Sequence, residues 1–216
     1  MHREPSAVDR LLSQGVVPVI RTSTVASARL AVEWLAEANY RSFELTMTIP
    51  GAIDLIRELR ERPDFLIGAG TVLDPETARE VIAAGAKFLV SPALVPDIVA
   101  VGREHGVPVL MGGVTPTEIL AASRAGSPVV KLFPASTVGP AHLKALKSVF
   151  PTIPIMPTGG IEAGNLADWF AAGAACVGVG GKLLDNKAIE RGDRQSIIDA
   201  GSELLAALQR CRSGPV

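Results

Sequence analysis

Residues 107–133, VPVLMGGVTPTEILAASRAGSPVVKLF, decide the fold. An apolar run at 107–111 is closed by Gly112 and Gly113, and a helix-like stretch at 116–125 follows. Pro116 stands at its first turn, where a missing N–H costs nothing, and Gly126 stands where a left-handed cap ends a helix. A second apolar run, 129–133, completes the unit. Short, almost wholly apolar strands flanking a helix are the pattern of a parallel sheet covered on both faces.

The unit repeats in both directions. Six more runs read as strands: 16–21 (VVPVIR), 42–46 (SFELT), 65–69 (FLIGA), 87–91 (KFLVS), 153–157 (IPIMP) and 175–179 (ACVGV). Helical stretches at 26–38, 52–60, 75–84, 96–105, 140–150 and 165–172 fill the gaps, with further helices at 5–14 and 194–211. Several open on proline (Pro75, Pro96, Pro140) and close on glycine (Gly85, Gly106, Gly173). Eight β/α repeats without a linker, charge block or low-complexity segment predict an α/β chain folded as one (β/α)8 TIM barrel, 1–216, framed by an N-terminal and a C-terminal helix. An open doubly wound sheet is the rival arrangement.

Composition narrows the function. The chain is 48% hydrophobic with only 4% aromatic residues, so Ala, Val, Leu and Ile must fill the core. Lys and Arg number 21 against 22 Asp and Glu, which leaves no strong positive field for nucleic acid. The two cysteines, Cys176 and Cys211, make no disulfide framework and no metal-ligand spacing, and no metal or cofactor is expected. His2, His105 and His142 read as solvated or helix-end residues. No apolar leader and no run near the ~20 residues of a membrane span is present, so a cytoplasmic protein without membrane contact is expected.

Barrels carry their chemistry at the C-terminal ends of the strands. Those positions hold Arg21, Glu44 with Thr46 and Thr48, Gly70 with Thr71, Ser91, Gly112–Gly113, Lys131, Thr158 to Gly160, and Gly178 to Lys182. Lys131 stands out in VVKLFP. If it points into the barrel, desolvation disfavours its ammonium, and the neutral amine can attack a carbonyl to form a Schiff base. If it points out, it is an ordinary lysine reaching for solvent. Glu44 in SFELT poses the same question, as proton shuttle or as half of a structural ion pair with Lys131. Gly159 and Gly160 before a helix, with Gly180 and Gly181 after the eighth strand, suggest a phosphate cradle, tight turns being the plainer reading.

These motifs, FELTMTIPGA, IGAGTV, FLVSP, TPTE, VVKLFPAS, HLKALK and MPTGGI among them, closely resemble the 2-dehydro-3-deoxy-6-phosphogluconate (KDPG) aldolases, a family overlapping the 4-hydroxy-2-oxoglutarate (KHG) aldolases. The resemblance runs from about Val16 to Leu184. It implies Lys131 as the Schiff-base lysine, Glu44 as the proton shuttle, and Thr71 and Thr158 around a pyruvate unit. It adds Arg21, and Thr48 in the region where some members carry an arginine, as further substrate contacts. It also implies a small 2-oxo acid substrate and a homotrimer. Three features depart from many relatives: the arginine that some members carry after the glutamate to hold the pyruvate carboxylate has no counterpart, Thr48 and Ile49 standing in its region; Gly181 replaces a serine expected to hold phosphate, with Lys182 beside it; and Met111-Gly112-Gly113 replaces Pro-Gly. Three outcomes are therefore carried forward. They are cleavage of KDPG to pyruvate and glyceraldehyde 3-phosphate, cleavage of 4-hydroxy-2-oxoglutarate or an unphosphorylated 2-dehydro-3-deoxy sugar acid, and a catalytically idle phosphate-binding barrel.

Overall fold

Caps and prolines set where the helices begin. Ser6 and Asp9 form a reciprocal capping box on α1 (Ala7–Gln14), and Asp74 accepts from the Thr77 amide at 2.7 Å to start α4 (Pro75–Ala84). Thr115 and Glu118 form a second box on α6 (Pro116–Ala125), and Glu118 Oε2 also accepts from the Val114 amide at 3.0 Å. Bonds from the backbone of Thr115 and Val114 hold the Glu118 carboxyl below the usual carboxylate range. Left-handed glycines at 15, 85 and 126 end these three helices. The computed structural model describes residues 4–213, so the reading of His2 lies outside the described residues.

The other helices are α2 (Val25–Glu37), α3 (Ala52–Leu59), α5 (Pro96–Glu104), α7 (Gly139–Val149), α8 (Leu166–Ala171), α9 (Asn186–Glu190) and α10 (Arg194–Ser213). They alternate with parallel strands β1 (Val16–Ile20), β2 (Ser42–Thr46), β3 (Leu66–Gly70), β4 (Leu89–Val90), a two-part β5, β6 (Val130–Leu132), β7 (Ile155–Pro157) and β8 (Val177–Val179). β5 is interrupted at Met111: Val109–Leu110 pairs with β4, and Gly112–Gly113 pairs with β6. A side chain at Gly112 would collide with the Pro92 backbone, so glycine permits the change of partner. β8 returns to β1 (Val16 opposite Val177), and a Thr158–Gly178 bridge joins β7 to β8. The ring is thus complete, the predicted (β/α)8 barrel rather than an open sheet. Several strands are shorter than the apolar runs suggested, because the stagger of a closed barrel leaves strand ends without a laddered neighbour.

Two cores follow from that closure. Val17, Leu66, Phe88, Val90, Leu110, Val129, Met156 and Cys176 fill the barrel interior, and Leu11 of α1 packs against them. A larger core lies between the sheet and the outer helices and takes Ile20, Leu45, Ile67, Val130, Leu132 and Val177 from the strands. Cys176 and Cys211 are free thiols, and burial pushes Cys176 up to about 12, so it is an inert core residue. Trp169 is buried and Phe170 half-buried, both in the outer core. No helix among the described residues is long and apolar enough to cross a membrane.

Candidate active site

Alternation along β6 decides the orientation that the sequence left open. Val129 sits in the interior core while Val130 and Leu132 sit in the outer one, so Lys131 points into the barrel. Glu44 sits on β2 between Val19 of β1 and Gly68 of β3. The two side chains meet across the interior, Lys131 Nζ lying 3.5 Å from Glu44 Oε1, with Lys131 4% and Glu44 0% exposed. The Phe133 ring lies 5.2 Å from Nζ and covers a further side of it.

Small residues make the room. A Cβ on Gly70 would strike the Glu44 carboxylate, one on Gly68 would strike the Phe88 ring, and one on Gly178 would strike Thr158 Oγ1. Glycine at 70 is therefore a requirement of the acid's position. Gly70→Ala is expected to displace the carboxylate, lowering turnover and costing about 1–3 kcal/mol by overpacking. Turnover number and thermal midpoint measured together check this, and an unchanged turnover number would show that the position of the acid is immaterial.

Polar satisfaction is poorest at the same place. Glu44 Oε1, Glu44 Oε2 and Thr158 Oγ1 are buried without a hydrogen-bond partner among the described residues. Each such atom carries a desolvation cost of about 1–3 kcal/mol, and three on one barrel mouth point to function rather than stability. Thr71, directly after Gly70, holds φ at 61°, a left-handed conformation rare for a β-branched residue. Strain of that kind, about 1–3 kcal/mol, gathers where a ligand is gripped.

A cavity of about 420 Å³ opens over Lys131. Its walls include Arg21, Thr158, Gly159, Gly160, Gly180 and Gly181, together with Phe133, Ile161 and Lys182. The N–H groups of Gly160 and Gly181 donate to nothing among the described residues. Gly159 and Gly160 hold φ at 108° and 71°, conformations that glycine adopts freely. Such unpaired, concave N–H groups suit an anion.

The arrangement gathers most of the predicted residues but not all. Thr48 is exposed, and its hydroxyl donates to Thr46 Oγ1 at 2.8 Å, since Thr46 itself donates to the Ile20 carbonyl. Neither Thr48 nor Thr71 lines the cavity, although Thr71 follows Gly70, which faces the Glu44 carboxylate. Lys182 pairs with Glu162 at 3.1 Å, which offsets the charge that it would bring to an anion. Arg21, exposed and without an ion pair among the described residues, is left as the available cation of the wall. Phe133 and Ile161 enter the site although residue type gave no sign of it. His142 donates to the Val114 carbonyl at 2.8 Å and His105 to the Val101 carbonyl at 2.9 Å, and both stand apart from this cavity.

An amine, an adjacent acid and an anion cradle at one barrel mouth can together form an imine, move protons and hold a charged substrate. Comparison with known proteins agrees with that chemistry. The family model for KDPG and KHG aldolases matches residues 8–200. A 2-dehydro-3-deoxy-phosphogluconate aldolase of Pseudomonas aeruginosa is 36% identical over 95% of this chain and 94% of its own length. The KHG/KDPG aldolase of Escherichia coli K12 is 33% identical over 93% and 95%. The crystal structure of a KDPG aldolase from Legionella pneumophila superposes with a TM-score of 0.85 at 30% identity, covering 94% of this chain and 99% of that one. That protein holds pyruvate captured as a covalent carbinolamine.

Proposed function

The chain belongs to the KDPG and KHG aldolase family, and on that premise we propose that it cleaves 2-dehydro-3-deoxy-6-phosphogluconate to pyruvate and glyceraldehyde 3-phosphate through a Schiff base on Lys131. The observation that carries this reading is the buried Lys131–Glu44 pair, 3.5 Å apart, beneath a cavity with unpaired glycine N–H groups.

The steps follow from those groups. Glu44 stands within reach of the Lys131 proton, so the amine can attack the C2 ketone in its uncharged form. Loss of water from the carbinolamine leaves an iminium. Its nitrogen takes the electron pair of the C3–C4 bond as a proton leaves the C4 hydroxyl, and the aldehyde departs. The enamine left behind takes a proton at C3, and water then releases pyruvate and restores the amine. Glu44 is the group placed to relay these protons. The iminium supplies the electron withdrawal, so no metal is needed for this route. Thr158 and Thr71 are assigned to the pyruvate unit, and Arg21 to a carboxylate or phosphate oxygen. Gly159, Gly160, Gly180 and Gly181 are assigned to the phosphate, and Thr48 keeps only an outer role. A homotrimer, implied by the resemblance, and the cytoplasmic location expected from the sequence belong to the same proposal.

Sodium borohydride added with pyruvate is expected to fix a pyruvate-derived adduct on the Lys131 peptide, read by mass spectrometry; an unmodified peptide ends the mechanism. The cradle gives a second expectation. Charge-assisted bonds to a phosphate contribute about 1.5–3 kcal/mol each, so a phosphorylated substrate is expected to be favoured about 100-fold or more in kcat/KM. Equal turnover of the unphosphorylated sugar acid, or preference for 4-hydroxy-2-oxoglutarate, would reassign the substrate while keeping the lyase.

A further inference from the structure

We propose that the cavity at the opposite, N-terminal end of the barrel binds an organic polyphosphate of the nucleoside triphosphate kind. This cavity is about 830 Å³, within the range of roughly 300–1,000 Å³ usual for small-molecule sites. It lies among the strand starts, beside Leu66 of β3 and Val109 of β5, far along the barrel from the Lys131 mouth.

Charge singles it out. The chain is nearly balanced, with 21 Lys and Arg against 22 Asp and Glu, yet Arg10, Arg60, Arg62, Lys87 and Arg103 line this cavity and no carboxylate among the described residues does. Two of the five are matched at the rim, Arg60 with Glu61 at 2.9 Å and Arg62 with Asp64 at 3.7 Å. Arg10, Lys87 and Arg103 make no ion pair among the described residues, though Arg10 donates to the Asp64 carbonyl at 2.7 Å. They come from α1, the approach to β4 and α5, so no single amphipathic face explains their convergence. Three unmatched cations around one concavity repel one another until an anion bridges them. Spread over three elements, they fit a chain of phosphates better than a single carboxylate, because each can take its own oxygen through charge-assisted bonds. Half-buried Val8, Val107, Pro108 and Pro128 supply an apolar wall for the organic part.

The inference stands apart from the aldolase assignment, because none of these residues belongs to the Lys131 site. Calorimetric titration of the full chain with ATP at physiological ionic strength tests it. One site per chain is expected, tighter for ATP than for inorganic triphosphate. The exposed pair Lys87→Ser/Arg103→Ser is expected to weaken binding about tenfold or more while lyase turnover and the thermal midpoint hold, since charge-assisted bonds are lost. Arg10→Gln offers a second, single-site variant with the same expectation. Saturating ATP is also expected to leave the KM for the 2-oxo acid unchanged. Absence of saturable binding, binding untouched by these variants, or equal affinity for inorganic triphosphate would each overturn the proposal. So would competition with substrate, which would place the nucleotide in the glycine cradle, or tighter binding of an oligonucleotide, which would mark a nucleic-acid surface.

Discussion

Lys131→Met is expected to abolish carbon–carbon cleavage, lowering kcat by about 10⁴-fold or more, equivalent to about 5 kcal/mol or more of barrier. The size of the effect follows from chemistry rather than packing. Without an iminium, the electron pair of the C3–C4 bond has only a ketone to receive it, and no other lysine among the described residues is buried. Lys182 lines the same cavity but is exposed and paired with Glu162, so it is a poor substitute nucleophile. Methionine fills a similar volume, but it leaves the Glu44 carboxyl buried beside an apolar neighbour. Losing one partner of a buried pair costs about 3–5 kcal/mol if the remaining charge persists, so a fall in thermal midpoint is expected as well. Lys131→Arg separates the two effects. It keeps a cation near Glu44 while removing the nucleophile, and the same loss of turnover is expected with a smaller loss of stability. Steady-state kinetics alongside thermal unfolding of both variants read the result. A Lys131→Met protein that still cleaved the substrate would remove the Schiff base on Lys131 from the mechanism.

The fold was legible because each level of the sequence agreed: apolar runs, prolines at helix starts and glycines at helix ends all marked the same repeat. The strand ends were less legible, because pairing depends on neighbours. The break of β5 at Met111 is a case, since it arises only when the ring closes and Gly112 meets Pro92. The site was half legible. A lysine and a glutamate in apolar strands are conspicuous as residue types, but alternation alone gave two faces and no way to choose between them. The glycines of IGAG were a readable clue: Gly68 and Gly70 lie on one face of β3, and both make room for inward side chains. The strained backbone of Thr71 and the pairing of Lys182 with Glu162 had no local signal. The first depends on how β3 ends and the second on two loops 20 residues apart meeting. Likewise, the basic cavity at the far end is assembled from separate elements and vanishes in a balanced net charge.

The acid can be separated from the amine by a half-reaction. Glu44→Gln keeps the shape of the side chain and its place beside Gly70, yet it can no longer take and return a proton. A fall in kcat of about 10²–10⁴-fold is expected, the usual worth of a positioned acid–base group, with KM changed little. Borohydride with pyruvate is still expected to label Lys131 in this variant, though more slowly, because the nucleophile survives. Exchange of the pyruvate methyl hydrogens in deuterium oxide then discriminates between roles. Exchange needs the enamine carbon to be protonated and deprotonated repeatedly, so a shuttle at residue 44 predicts that labelling persists while exchange is suppressed. A purely structural partner predicts the reverse bias: altered thermal stability, with exchange falling only as far as adduct formation does. Glu44→Gln protein that exchanged methyl hydrogens at the native rate, read by proton resonance loss, would leave the carboxylate as packing and move the proton relay to another group.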